Sequence, residues 1–366
     1  MSARVLIFTA STGAGHDPPA RVLADGLRER GATAEVLDGL QVAGPPASTI
    51  IGGASKLESS AATLARNTGY LLGTRVVALR RAGSAGLDRL TRRGFATFLR
   101  ERPADVIVST HPLWSQLLGR MRADATLPTP VVSAITDLAG LDFWAHPGID
   151  LHLVAHPESG AEVRDIAGPD ARIEAVHGLT DLGFTNPPER SAARTDLGLP
   201  TRGSLVVVSG GGSGVGDLPA ATDTALHYGA DTVVVLVGHN ERARERLQGA
   251  YADDGRVQIW GFTDRMVTLL AAADVLIHST AGLTVLEALT CDCRVISYGR
   301  ARGHIRANNR AYERLGMVSV AHDRPQLAHA LIHALAAPPV GSRVPDLPAA
   351  ADLVLGLTER APVAAG

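Results

Sequence analysis

Short apolar runs rich in Val, Ile and Leu recur along the chain, and the segments between them carry helical periodicity. "RVLIF" (4–8), "ADVIVS" (104–109), "PVVSAI" (130–135) and "IDLHLVA" (149–155) form a first series. "GSLVVVSG", "DTVVVLVG", "RVQIWG", "ADVLIHS" and "RVISYG" form a second. Runs of this length predict buried strands, and their alternation with helices predicts parallel sheets covered on both faces. The class is α/β. Between the two series, "GFTNPPERS" (183–191) interrupts the pattern with two prolines and polar residues. The organisation expected is therefore two doubly wound, Rossmann-like domains, residues 1–186 and 187–336, facing each other across a cleft. A ligand in such folds lies at the carboxyl ends of the strands. The tail, 337–366, is rich in Pro and Ala, and its "ADLVLGLTERA" predicts a last helix packed back on the first domain.

Two strand-to-helix turns stand out. "TASTGAGHDPPA" (9–20) leaves the first strand through Gly13 and Gly15, presents His16, and enters a helix with Asp17 as a possible cap, Pro18 in the first turn and Gly31 at the far end. Either this is a tight turn with a surface histidine, or its glycines admit a ligand to the helix N-terminus. "SGGGSGVGD" (209–217) holds five glycines, more than a turn needs, which favours close approach of a ligand. Neither turn completes the dinucleotide fingerprint or a P-loop.

Further on, "ADVLIHSTAGLTVLEALTCDCRVISYG" predicts a strand, a turn, a helix and another strand. Thr280, Thr284 and Glu287 fall on one face of that helix, while Leu283, Val285, Leu286 and Leu289 cover the rest, so a mostly buried helix is expected. A buried Glu287 needs partners, and a ribose diol would supply two hydroxyls; the helix start at Gly282 would suit a diphosphate. An ordinary solvent-facing stripe explains the same periodicity.

Composition narrows the function classes. A net charge of −2 over 366 residues argues against nucleic acid as a partner. Cys291 and Cys293 can build neither a disulfide framework nor a four-ligand zinc site alone, which suits a reduced, cytoplasmic protein. No apolar run is long enough to cross a bilayer, so membrane contact would be peripheral. Lys56 is the only lysine, yet residues 56–102 carry ten basic against three acidic side chains in a helical, partly apolar region. That region is either a patch for an anionic membrane surface, on the inner face of the cell membrane, or a solvated hairpin.

Taken together, Gly-x-Gly-His after the first strand, "SGGGSGVGD", "WGFTDRMVTLLAAADVLIHSTAGLTVLEAL" and "GHIRANN" resemble the family 28 glycosyltransferases of the GT-B fold. That group includes the monogalactosyldiacylglycerol synthases and, more distantly, the peptidoglycan GlcNAc transferase MurG. "ITDLAGLDFWAHPGIDLHLVAHPE" and "ARTDLGLPTRGSLVVVSGGG" are similar to the diacylglycerol branch. The resemblance runs in order over most of residues 4–320. It implies a UDP-sugar as substrate with no cofactor. Glu287 would hold the ribose; Thr280, Gly282, Leu283 and Thr284 would lie under the diphosphate, beside Gly211 and Gly212. Phe262 would read the uracil through its backbone, and His304 and Asn308, in the loop "GHIRANN", would lie near the donor sugar. On the acceptor side it implies Gly13, Gly15, His111, Asp142 and Trp144, with His16 and Asp137 as the catalytic candidates. The chain departs from the family at Leu141-Asp142-Phe143, where a histidine is usual, and at Gly303-His304-Ile305, where Gly-Gln-Glu is common.

The activity expected is an inverting, metal-independent transfer of a hexose or N-acetylhexosamine to a lipid, diacylglycerol-like or other hydrophobic acceptor. Asp137 is the preferred base and His16 the alternative; no Asp-x-Asp motif points to a metal. His111 and His278 fall at predicted strand ends, where a structural role is the simpler reading. The rivals are a soluble natural-product glycosyltransferase, a UDP-GlcNAc 2-epimerase-like enzyme that needs no acceptor, and a non-catalytic nucleotide-sugar binder.

Overall fold

The structure is a computed structural model that describes residues 2–10, 16–44, 91–279, 282–301, 303–338 and 347–358. Gly13, Gly15, Thr280, residues 56–90 of the basic region and the side chain of His304 lie outside the described residues. The chain divides into two units. One holds the residues through Asp181 together with the helix Ala350–Thr358; the other begins at Leu182.

The first unit is a parallel sheet in the order β2-β1-β3-β4-β5-β6. Its strands are β1 (Arg4–Thr9), β2 (Thr33–Asp38), β3 (Val106–Ser109), β4 (Val131–Ile135), β5 (Leu151–Val154) and β6 (Ile173–Ala175). Strands β1, β3 and β4 are buried on both faces, which is why they read as continuous apolar runs. Aromatic rings fill one side of this core: Phe8 packs on Phe95 at 4.9 Å, and Phe95 on Trp114 at 5.0 Å. A Cβ on Gly39 would strike the Trp114 indole, so glycine there is set by packing. The helix Ala350–Thr358 packs on the helix Asp17–Glu29, where Arg30 forms an ion pair with Asp352 at 2.5 Å.

The second unit orders its strands β12-β11-β10-β7-β8-β9. These are β7 (Leu205–Ser209), β8 (Thr232–Leu236), β9 (Val257–Trp260), β10 (Val275–His278), β11 (Arg294–Tyr298) and β12 (Ser319–Ala321). Counted within the unit, this is the 3-2-1-4-5-6 order of the doubly wound nucleotide-binding fold. Its strand bottoms are tied by one buried cation. Arg194, 4% exposed, donates to Ala272 O, Gly203 O and Asp274 Oδ2 at 2.8–2.9 Å, and Asp274 also accepts from Leu205 N and Arg190.

The structure differs from the sequence expectations in three places. "GHIRANN" is not a loop but the beginning of the helix Gly303–Arg314. Its arginines, alanines and Glu313 are good helix formers, and the buried side chains Asn308, Asn309, Ala311 and Tyr312 anchor it. The helix Leu283–Thr290 is half-buried, not mostly buried: only Val285 and Ala288 are buried, because it packs by one face on β11 and on the helix Met266–Ala272. The helix after β1 has His16, not Asp17, at its N-cap; Asp17 instead accepts a 2.7 Å bond from Thr9 Oγ1, closing the end of β1. Gly31, at φ +81°, does close the far end.

Candidate functional site

In the first unit the strand order reverses between β1 and β3, and the loops leaving their carboxyl ends part there. This brings His16, from the first loop, against His111, from the second: their rings meet edge to face at 4.6 Å. Thr110 Oγ1 donates to His16 O at 3.2 Å and holds the two loops together. His111 also caps the helix Pro112–Ala123, its Nδ1 accepting from Leu113 N at 3.3 Å. That bond assigns the ring proton to Nε2. Burial, and then the nearby His16, push the His111 pKa down to about 3, so this ring stays neutral at physiological pH. His111 is thus both a structural cap and a wall of the site.

The third contributor is the loop after β4. The Trp144 ring, 1% exposed, lies 5.7 Å from His16, and its Nε1 donates to Asp137 Oδ2 at 3.1 Å. One indole therefore touches both candidate bases and fixes the carboxylate of Asp137. The short turn Leu141–Phe143 is pinned by Gln116 Nε2, which donates to Asp142 O and Ala145 O at 3.1 and 2.8 Å. Beneath lies a chain of buried hydroxyls: Ser115 bonds Ser109 and Ser133 at 3.0 and 2.9 Å, and Ser133 donates to Trp144 O at 3.1 Å. Satisfied buried hydroxyls of this kind make the strand ends rigid. Sequence patterning missed this chain, since single serines in apolar runs carry no periodic signal.

In the second unit the reversal falls between β7 and β10. The glycine loop leaves β7, and Ser279 leaves β10; Ser279 Oγ lies 3.1 Å from Ser209 O and 2.8 Å from Val215 O, bonding the two across the switch point. The glycines divide by physical cause. A Cβ at Gly210, Gly214 or Gly216 would strike the loop itself, Val237 O or Ser279, so their absence of side chain is demanded by the fold. Among the described residues nothing would lie within 4 Å of a Cβ at Gly212, and the same is true of Gly282. Packing does not require glycine at those two positions. Gly282 begins the helix Leu283–Thr290 in extended backbone and has no side chain to meet the first N–H groups of the helix. Glu287 lies half-buried one turn further along. Burial, and secondly the charge of Glu287, push the Cys291 thiol up to about 12, so that cysteine is inert as a nucleophile.

Phe262 follows β9 and is 66% exposed. Its ring is stacked on His239, at 4.3 Å between centroids and 13° between planes. Sequence reasoning missed His239; the "GH" after the strand "DTVVVLVG" sits at the carboxyl end where ligands bind, and that place is the signal that could have found it. Asn308 is 3% exposed on the helix Gly303–Arg314.

Comparison with known proteins adds the chemistry. Residues 28–178 match the family model "Monogalactosyldiacylglycerol (MGDG) synthase", and residues 214–337 match "Glycosyl transferases group 1". The two matches fall one in each unit and in the order of the chain. The chain is a GT-B glycosyltransferase. This glycosyltransferase is 22% identical over 332 residues to a processive diacylglycerol beta-glucosyltransferase of Bacillus thuringiensis (strain Al Hakam), covering 87% of its own chain and 82% of the relative. It shares its fold with Arabidopsis thaliana UGT89C1 complexed with UDP-L-rhamnose, at 17% identity and a TM-score of 0.56 over 99% of this chain and 94% of that one. It also shares the fold of Acinetobacter baumannii MurG, at 15% identity and a TM-score of 0.55 over 97% of this chain and 99% of that one. Among the described residues no helix of the glycosyltransferase is long and apolar enough to cross a membrane.

Proposed function

We propose that this glycosyltransferase moves a hexose or N-acetylhexosamine from a UDP-sugar to a hydroxyl of a diacylglycerol-type lipid, with inversion and without a metal ion. The observation that carries the acceptor class is the match of residues 28–178 to the monogalactosyldiacylglycerol synthase model, in the unit that assembles His16, His111, Asp137 and Trp144. The diacylglycerol glucosyltransferase of Bacillus thuringiensis supports the same class. UDP as the carrier is supported by the UDP-sugar complex of a protein with this fold.

In the proposed reaction the acceptor oxygen attacks the anomeric carbon as the bond from that carbon to the diphosphate oxygen breaks. UDP leaves, and the hydroxyl proton passes to the base. Asp137, oriented by Trp144, is the preferred base, with His16 as the alternative. Negative charge on the leaving diphosphate would be met by the N–H groups at Gly282 and by the glycine loop at Gly211 and Gly212, with Leu283 and Thr284 in the first helical turn. Glu287 would accept from the ribose hydroxyls. Thr280, His304 and Asn308 on the donor side, and Gly13, Gly15 and Asp142 on the acceptor side, complete the assignment. Through residues 56–102 the enzyme would work at an anionic membrane surface, and stronger binding to anionic than to neutral vesicles would support that.

The test is transfer itself. Purified protein is incubated with UDP-glucose, UDP-galactose or UDP-GlcNAc and diacylglycerol in mixed vesicles, and the lipids are analysed by mass spectrometry. A product heavier by one hexosyl or N-acetylhexosaminyl residue is expected. Transfer only to soluble polyphenols or polyketides would overturn the acceptor assignment, and turnover of UDP-GlcNAc without acceptor would indicate an epimerase.

A further inference from the structure

Phe262 is a puzzle as a monomer surface residue. A phenyl ring standing 66% in solvent forgoes the burial that favours aromatic residues, and it is the most exposed of the large hydrophobic side chains among the described residues. The ring is nevertheless held flat by His239 at 13° and 4.3 Å. A parallel stack covers one face of the phenyl ring and leaves the other to solvent. His239 is itself fixed to the glycine loop, because its backbone N–H donates to Gly212 O at 2.9 Å. Gly238, at φ +57°, approaches that loop so closely that a Cβ would strike the carbonyls of Gly211 and Gly212. The loops leaving β7, β8 and β9 are therefore one connected surface, with an open glycine at one end and an open aromatic face at the other.

We infer that His239 is a positioning residue for the donor: its ring sets Phe262 as a platform on which a planar nucleobase stacks, and its backbone ties that platform to the glycine loop that faces the diphosphate. The inference rests on the UDP-sugar reading above. A pyrimidine has two polarised faces and gains from stacking on an aromatic ring, whereas pyrophosphate gains nothing from it. The role thus separates by ligand. His239 should strengthen base-bearing ligands and leave the diphosphate contacts untouched.

Calorimetric titration of the full-length protein with uridine monophosphate, UDP and inorganic pyrophosphate tests this. His239→Ala is expected to weaken UDP and uridine monophosphate roughly tenfold, the scale of a lost aromatic stacking partner, and to leave pyrophosphate affinity unchanged. His239→Phe, which keeps a ring to stack on Phe262, should restore binding to within about threefold of the native protein. Thermal unfolding without ligand checks that each variant is folded. Native UDP affinity in a folded His239→Ala, or equal weakening of pyrophosphate and UDP, would overturn the inference while leaving the UDP-sugar reading intact. Failure of the native protein to bind any uridine nucleotide would overturn both.

Discussion

Asp137 and His16 compete for one role, and Trp144 touches both, so single substitutions separate them. Asp137→Asn keeps an oxygen for the Trp144 N–H and should keep the fold, yet lower kcat by roughly 10²- to 10⁴-fold if Asp137 is the base. His16→Ala should then lower activity less and raise KM more. The reverse ranking in steady-state kinetics would make His16 the base. The glycine loop offers a similar division. Gly212→Ala, in open space, should leave the melting temperature unchanged and weaken UDP; Gly214→Ala, at φ +60° against Val237 O, should lower the melting temperature. Calorimetry and thermal unfolding of the two variants check this, and a destabilised Gly212→Ala would remove the case for a ligand at that position. The sequence could reveal that five glycines follow β7, but not which of them the fold demands, because that depends on Val237 and Ser279 from other strands.

Among the elements, the buried apolar strands were legible because each has two covered faces and so reads as an uninterrupted run. The strands β2, β6 and β12 were not, since they lie at or near sheet edges and are short or partly exposed. The helix Gly303–Arg314 was hidden by its glycine and paired asparagines, which resemble a loop until Ala311 and Tyr312 are seen to anchor it. The Arg194–Asp274 tie joins residues 80 positions apart and carries no local pattern. It nevertheless bears weight in the second unit. Arg194→Ala leaves Asp274 with Arg190 and Leu205 N but removes its bond to Arg194 and the bonds to Ala272 O and Gly203 O, so a loss of about 2–3 kcal/mol is expected in denaturant unfolding. A change under 1 kcal/mol would show that the strand bottoms are held by apolar packing alone.

For the whole molecule, the two-unit α/β architecture followed from the alternation of runs, while the chemistry came from motifs in a fixed order and not from charge or composition. Burial also sets a pH dependence. His152, His156 and His278 are each pushed down to about 4 by burial, and His111 to about 3. In the unfolded chain they titrate near 6.5, so the fold favours their neutral form. Stability is therefore full above pH 6.5 and falls as pH drops toward 4, each histidine contributing up to about 1.4 kcal/mol per pH unit in that window. Melting temperatures at pH 7.5, 6 and 5 should decline in that order; a flat profile would mean that these rings take up protons as readily in the folded chain as in the unfolded one.

The measurement that tests the central claim most directly is the shift in melting temperature of the purified protein with UDP, dTDP, GDP and NAD, made on the native chain and on Glu287→Ala. A ligand that binds only the folded state raises stability with its concentration. The account predicts selective stabilisation by UDP that is lost, or shifted to at least about tenfold higher concentration, in Glu287→Ala. Equal response to all four ligands, or none to any, would contradict a UDP-sugar site built on the glycine loop and the helix that follows Gly282.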